Sequence, residues 1–106
     1  MSELEEIKRD GGKPQKNSGR GQYQKGDATL GPFCYDIKEY ANSFSVSISN
    51  WGKVCTDAFK SGRLIPAFKL VLGTGNRKVR LWVIGDDMFK EMLEAWEEKN
   101  GEANQG

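Results

Sequence analysis

Phe33-Cys34-Tyr35-Asp36-Ile37-Lys38-Glu39-Tyr40 is the stretch on which the reading of this chain turns. It reads as a central strand, and successive side chains of a strand point to opposite faces. Phe33, Tyr35 and Ile37 share one face, and Cys34, Asp36 and Lys38 share the other. One strand thus carries a core on one side and a carboxylate beside an ammonium on the other. Just before it, Thr29-Leu30-Gly31-Pro32 is a turn signal. Gln22 to Asp27 reads as a short strand, so Asp27 arrives from across a hairpin. Two carboxylates suit a hard cation such as Mg2+, which takes oxygen ligands. A lysine beside them orients or activates a water, and the combination fits metal-assisted hydrolysis of a phosphodiester.

Beyond the strand, Phe44, Val46 and Ile48 alternate with serines over 43–49, which predicts a half-buried strand or an extended approach to a helix. Ser49 or Asn50 is the candidate cap of that helix. Trp51, Val54, Cys55, Ala58 and Phe59 follow at helical spacing, and Gly62 ends the run. Pro66 to Leu72 and Lys78 to Ile84 read as strands on either side of a Gly73-Thr74-Gly75-Asn76 turn. That turn lacks the lysine and helix of a phosphate loop. Asp86 is the candidate cap of a last helix whose stripe is Met88, Phe89, Met92, Leu93 and Trp96, read as core. Upstream, Ser2 and Glu5 have capping-box spacing for a short helix with only Leu4 and Ile7 apolar. Residues 9–21 read as a mobile basic loop. The fold class expected is α/β: a mixed sheet flanked by helices, the first of them short.

The chain has 106 residues, enough for one domain with a modest core. Residues 1–21 are expected to form a flexible basic segment, 22–100 the domain and 101–106 a disordered tail. Net charge is +1, yet Lys8, Arg9, Lys13, Lys16, Arg20 and Lys25 face only Asp10 within 8–25, and seven basic residues face only Asp57 within 53–80. Such an uneven distribution leaves basic surface for phosphates. With no histidine, a Cys-His zinc site and a Ser-His-Asp triad are excluded. Cys34 and Cys55 read as small buried hydrophobes. No apolar run reaches transmembrane length and the start is no signal peptide, so a cytoplasmic protein with no membrane partner is expected.

Asn17-Ser18-Gly19-Arg20, then Gly26-Asp27, then Asp36-Ile37-Lys38, resembles the PD-(D/E)XK nuclease superfamily over roughly residues 15–72. The chain looks most similar to archaeal-type Holliday-junction resolvases and related small phage endonucleases, with Gly26-Asp27 where the family often has Pro-Asp. The resemblance implies a restriction-endonuclease-like core and a dimeric, Mg2+-dependent endodeoxyribonuclease, with Mn2+ as a second metal. The substrate implied is branched or Holliday-junction DNA, in a host cytoplasm where the chain is phage-encoded. Carried over by position, Asp27, Asp36 and the Ile37 carbonyl hold the metal and Lys38 positions the attacking water. Ser18 and Arg20 touch the scissile strand or a neighbouring phosphate, and Lys16 and Lys25 anchor backbone phosphates without reading sequence.

The family also aims a glutamate into the site from a full first helix. Here that segment is short, and of Glu3, Glu5 and Glu6 the second and third fit best as the additional acid. The alternative is therefore a nuclease-like module that binds DNA or inhibits a host protein without cutting. Each piece also has a plainer reading: Asp36 and Lys38 as a solvated pair, Asp27 as turn chemistry, Ser18-Gly19 as linker.

Overall fold

A computed structural model describes residues 3–16, 23–62 and 64–104; at 3, 15–16, 23–27 and 102–104 the description is of the backbone. The elements in order are α1 (Glu3–Arg9), β1 (Lys13–Lys16), β2 (Tyr23–Leu30), β3 (Phe33–Tyr40), α2 (Ile48–Lys60), β4 (Ile65–Leu72), β5 (Val79–Ile84) and α3 (Asp86–Asn104). A single 3-10 turn, Gly75–Arg77, separates β4 from β5. The five strands form one mixed sheet in the order β1-β2-β3-β4-β5. Only β3 and β4 run parallel, joined through α2; the other pairs are antiparallel. The α/β class with a short first helix is thus the architecture observed. No helix among the described residues is long and apolar enough to cross a membrane.

The alternation of β3 sorts two cores onto two faces. Tyr35 and Ile37 join Ile7 of α1, Ala28, Ala67 and Val71, all buried, with Leu30, Phe33 and Ile84 packed against them. On the other face Val54 of α2 meets Phe68 and Leu70, flanked by Phe44, Trp51, Leu72 and Val83. The Phe68 ring receives Phe44 at 5.5 Å and Trp51 at 5.6 Å, both edge-on. Cys34 is buried on this face with its Sγ 3.9 Å from Ser61 Oγ at the end of α2, and neither Cys34 nor Cys55 is in a disulfide.

Several local expectations change. Residues 43–47 form no strand; they are the extended approach to α2, with Val46 and Ile48 exposed and only Phe44 packed. The cap of α2 is Ser47 rather than Ser49 or Asn50. Its Oγ accepts from the Asn50 amide at 3.0 Å, and Asn50 Oδ1 accepts from the Ser47 amide at 2.8 Å. Asparagine at the third helical position completes this reciprocal pair, and that is why the helix starts two residues early. Gly62, with φ of +104°, follows the last turn as expected.

Part of the basic segment is ordered sheet. Pro14 and Lys13 pair with Ala28 and Thr29, with a register shift before Lys16. Gly12 leads into β1 so close to the hairpin that a Cβ there would sit 2.6 Å from the Tyr35 hydroxyl and 2.9 Å from the Thr29 carbonyl. At the other end α3 passes through Gly101 to Asn104. Its stripe is not core: Phe89, Met92, Leu93 and Trp96 are each at least 42% exposed.

Candidate active site

The β2–β3 hairpin turns through Gly31-Pro32, with Leu30 opposite Phe33. Three pairs beyond Leu30 and Phe33, Asp27 stands directly opposite Asp36. Directly opposed positions are the closest neighbours that an antiparallel pair offers. Among the described residues the β2–β3 ladder runs to this pair, whereas β3 stays paired with β4 as far as Tyr40 and Leu72. The two aspartates therefore mark the point where β2 parts from β3.

Asp36 and Lys38 lie on the α2 face, two residues apart. Lys38 Nζ sits 3.0 Å from Asp36 Oδ2, with the carboxylate 11% and the lysine 26% exposed. The ammonium also lies 5.9 Å from the centre of the Phe44 ring. Phe44 in turn stacks on Tyr40 at 5.5 Å. The extended segment after β3 thus brings an aromatic wall beside the lysine, while Asp36 remains within reach of solvent. Ile37, between them, sends its side chain into the α1-face core, and its backbone belongs to the same two-residue step.

The remaining candidates divide. Lys16 is the last residue of β1, in register with Tyr23, and Lys25 lies within β2. Ser18 and Arg20 lie outside the described residues. Glu5 is exposed on α1. Glu6 is buried and turned to the face opposite Asp36. Arg80 Nε donates to its Oε1 at 2.7 Å, and Lys69 Nζ is 3.5 Å from the same oxygen.

Glu6 belongs to a charged cluster that the sequence reading did not assemble. Lys69, 2% exposed in the middle of β4, donates to both Asp10 oxygens at 2.6 and 2.7 Å. Its Nζ lies 4.9 Å from the centre of the Trp82 ring. Tyr35 hydroxyl reaches Asp10 Oδ2 at 3.5 Å and its ring meets Trp82 edge-on at 4.9 Å. Burial, then the charge and hydrogen bond of Asp10 and the charge of Glu6, push the Tyr35 hydroxyl well above the usual phenol range. For Glu6, burial alone would raise the carboxyl, but the Arg80 hydrogen bond and charge, with Lys69, outweigh it and hold it below 4.5. Two acids and two bases balance here, and Glu6 Oε2 is the one buried side-chain oxygen without a partner among the described residues. The signal was present in the sequence: a lone lysine inside Ile65–Leu72 must find acids when buried.

Among the described side chains, no three His, Cys, Asp or Glu residues gather as cation ligands. No protein family, curated protein or solved structure matches the chain significantly.

Proposed function

We propose that this protein is a metal-dependent endonuclease that hydrolyses phosphodiesters of branched or Holliday-junction DNA, in line with its resemblance to PD-(D/E)XK nucleases. The observation that carries the reading is the placement of Asp27 opposite Asp36, with Lys38 bridged to Asp36 at 3.0 Å, where β2 leaves β3. A helix, a three-stranded meander, a second helix and a parallel strand surround them.

The donor set fits a hard divalent cation: carboxylate oxygens of Asp27 and Asp36 and the Ile37 carbonyl would hold Mg2+ or Mn2+. When bound, such a cation stabilises charge developing at phosphorus and acidifies water. Lys38 holds the attacking water in line beside Asp36, and its fixed ammonium offsets negative charge as the bond breaks. Lys16 and Lys25, with Ser18 and Arg20, bind backbone phosphates, which makes binding salt-dependent. Symmetric cutting of a four-way junction calls for two such sites about a two-fold axis.

The engagement of Glu6 with Arg80 and Lys69 favours a second reading, a nuclease-like module that binds junctions without cutting them. The test is incubation with a synthetic four-way junction and Mg2+ or Mn2+, alongside Asp36→Asn. Nicking abolished by the substitution supports the nuclease. A junction gel shift in EDTA with no nicking in either metal moves the assignment to the binding module.

A further inference from the structure

The face of β3 that carries Asp36 and Lys38 goes one step further, to Tyr40. Side chains two residues apart on a strand step along one face by about 6.5 Å, so Tyr40 follows Lys38 as Lys38 follows Asp36. Among the described residues β2 no longer pairs with β3 at this point. On the other side β4 still does, with Leu72 opposite Tyr40 and the Gly73 amide donating to the Tyr40 carbonyl at 3.1 Å.

The ring is held as well as the backbone. Phe44 comes back from the segment after β3 and stacks on Tyr40, with centroids 5.5 Å apart and planes 24° from parallel. Phe44 is itself seated edge-on against the buried Phe68 at 5.5 Å. Tyr40 nevertheless stays 46% exposed. With one face against a ring anchored in the core and the remainder in water, it is a rigid flat surface on the same strand face as the acid and the lysine.

Two features select what lies on that surface. It is a plane rather than a groove, and the partner that gains most on a plane is a second flat π-system. Phe44, which backs the tyrosine, also lies 5.9 Å from Lys38 Nζ, so plane and ammonium are neighbours. A cation beside a stacking plane matches a nucleotide, whose flat base and anionic phosphate are joined through one sugar. It matches neither an acyl chain nor an aliphatic side chain. Aromatic rings carry the bases of single-stranded nucleic acid in this way whatever the sequence. A base inside a duplex has both faces covered by its neighbours and must first be unstacked, at a cost that is least where it is already unpaired.

We infer that Tyr40, backed by Phe44, is the stacking platform for an unpaired base next to the phosphate held at Asp36 and Lys38. The DNA taken by this site then has single-stranded character at the point of attack, as in a flap or splayed arm, and a fully paired four-way junction is the poorer substrate. The inference deepens the nuclease reading and rests on it for the position of the phosphate alone.

The experiment uses splayed-arm DNA carrying 2-aminopurine, a base whose emission falls on stacking, in turn at each of the first three unpaired positions. A fully paired four-way junction is the comparison. Binding is titrated in EDTA, and nicking is followed in Mg2+ or Mn2+. Expected for the wild type are quenching on binding and a preference for the splayed arm in both affinity and nicking. Tyr40→Ala and Tyr40→Leu, the second of which keeps apolar cover on Phe44 without a flat face, should lose the quenching. Both should weaken splayed-arm binding by about 5–150-fold, the scale of one base on one ring, with circular dichroism unchanged. Tyr40→Phe should keep both properties. Wild-type binding without quenching at any position overturns the inference, as do substituted proteins that quench and prefer the splayed arm as the wild type does, or no binding to DNA at low salt. Nicking that is indifferent to Tyr40 and to unpaired bases sinks the platform and leaves the nuclease standing. Quenching without nicking in either metal does the reverse.

Discussion

Two charged groups lie on opposite faces of the same sheet, and their surroundings set them apart. On the α1 face Lys69, Asp10, Glu6 and Arg80 form a closed set, with the lysine bonded to both Asp10 oxygens and the sheet packed around it. On the α2 face Lys38 Nζ meets Asp36 at 3.0 Å, with the Phe44 ring beside it, where β2 parts from β3. The closed set pairs its charges internally, and among the described buried side-chain atoms one oxygen of Glu6 is left without a partner. The open pair holds an acid with uncommitted lone pairs, partly wet, next to a second acid in register. The same residue types serve packing where their partners close around them and, on the proposed reading, chemistry where an acid stays open to a ligand.

Breaking the closed set gives the largest expected loss of stability. Lys69→Met removes the cation that Asp10 and Glu6 share and leaves Asp10 facing apolar neighbours, so unfolding free energy falls by about 3–5 kcal/mol. A urea midpoint measured by circular dichroism reads it, and junction binding by whatever remains folded should be normal. Breaking the open pair works in the other direction. Asp36→Asn keeps the shape of a side chain that is 8% exposed and is expected to cut nicking by about 10²–10³-fold, the scale of losing one preorganised charge-stabilising group. Its urea midpoint should move by less than about 1 kcal/mol in free energy, because Lys38 stays partly solvated. An Asp36→Asn that unfolds while Lys69→Met does not would reverse the comparison.

What the sequence discloses follows the range of its signals. That Asp27 reaches Asp36 from across a hairpin is legible in the turn signal after it, but the register is not, because β2 runs on to Leu30 and the chain turns at Gly31-Pro32 rather than over 29–32. Asp36 and Lys38 share a face by the two-residue repeat of a strand. The partners of Lys69 are 59 and 63 positions away along the chain, at Asp10 and Glu6, and no local rule reaches so far. The two long helices teach the same point. α2 and α3 both carry apolar stripes, but Val54 and Ala58 are buried while Phe89 and Trp96 stand open. Periodicity says which side of a helix is apolar; whether the chain itself covers that side is decided by topology. Ser47 was missed for a smaller reason: two serines and an asparagine compete within four residues, and the reciprocal Ser47–Asn50 pair wins.

Acid titration sharpens the contrast through Glu6. Its folded carboxyl is held below 4.5, so the unfolded chain binds the proton more readily. The stability it contributes is complete above about pH 4.5 and is lost as pH falls through the folded value. Glu6→Gln should therefore be less stable than the wild type at neutral pH, and the gap between them should close on acidification below 4.5. Urea midpoints at several pH values measure it. A gap that stays constant with pH would mean that the Arg80 and Lys69 contacts do not act on the charged form.

The smallest expected effect tests how tightly the closed set is packed. Gly12 leaves no room for a methyl group, since a Cβ would meet the Tyr35 hydroxyl at 2.6 Å and the Thr29 carbonyl at 2.9 Å. Gly12→Ala should cost about 1–3 kcal/mol, the usual range for overpacking. Tyr35→Phe alone should cost less than about 1 kcal/mol, because its bond to Asp10 is long at 3.5 Å. Combined, the two should cost less than their sum, as the phenylalanine removes the nearer obstacle and leaves the Thr29 carbonyl in place. The double-mutant cycle then reports a partial rescue of about 0.5 kcal/mol or more. Strict additivity would show that the chain relieves the clash by moving β1 away from the hairpin. In that case the α1 face is no more rigid than the open pair behind it, and tight packing would not be what distinguishes them.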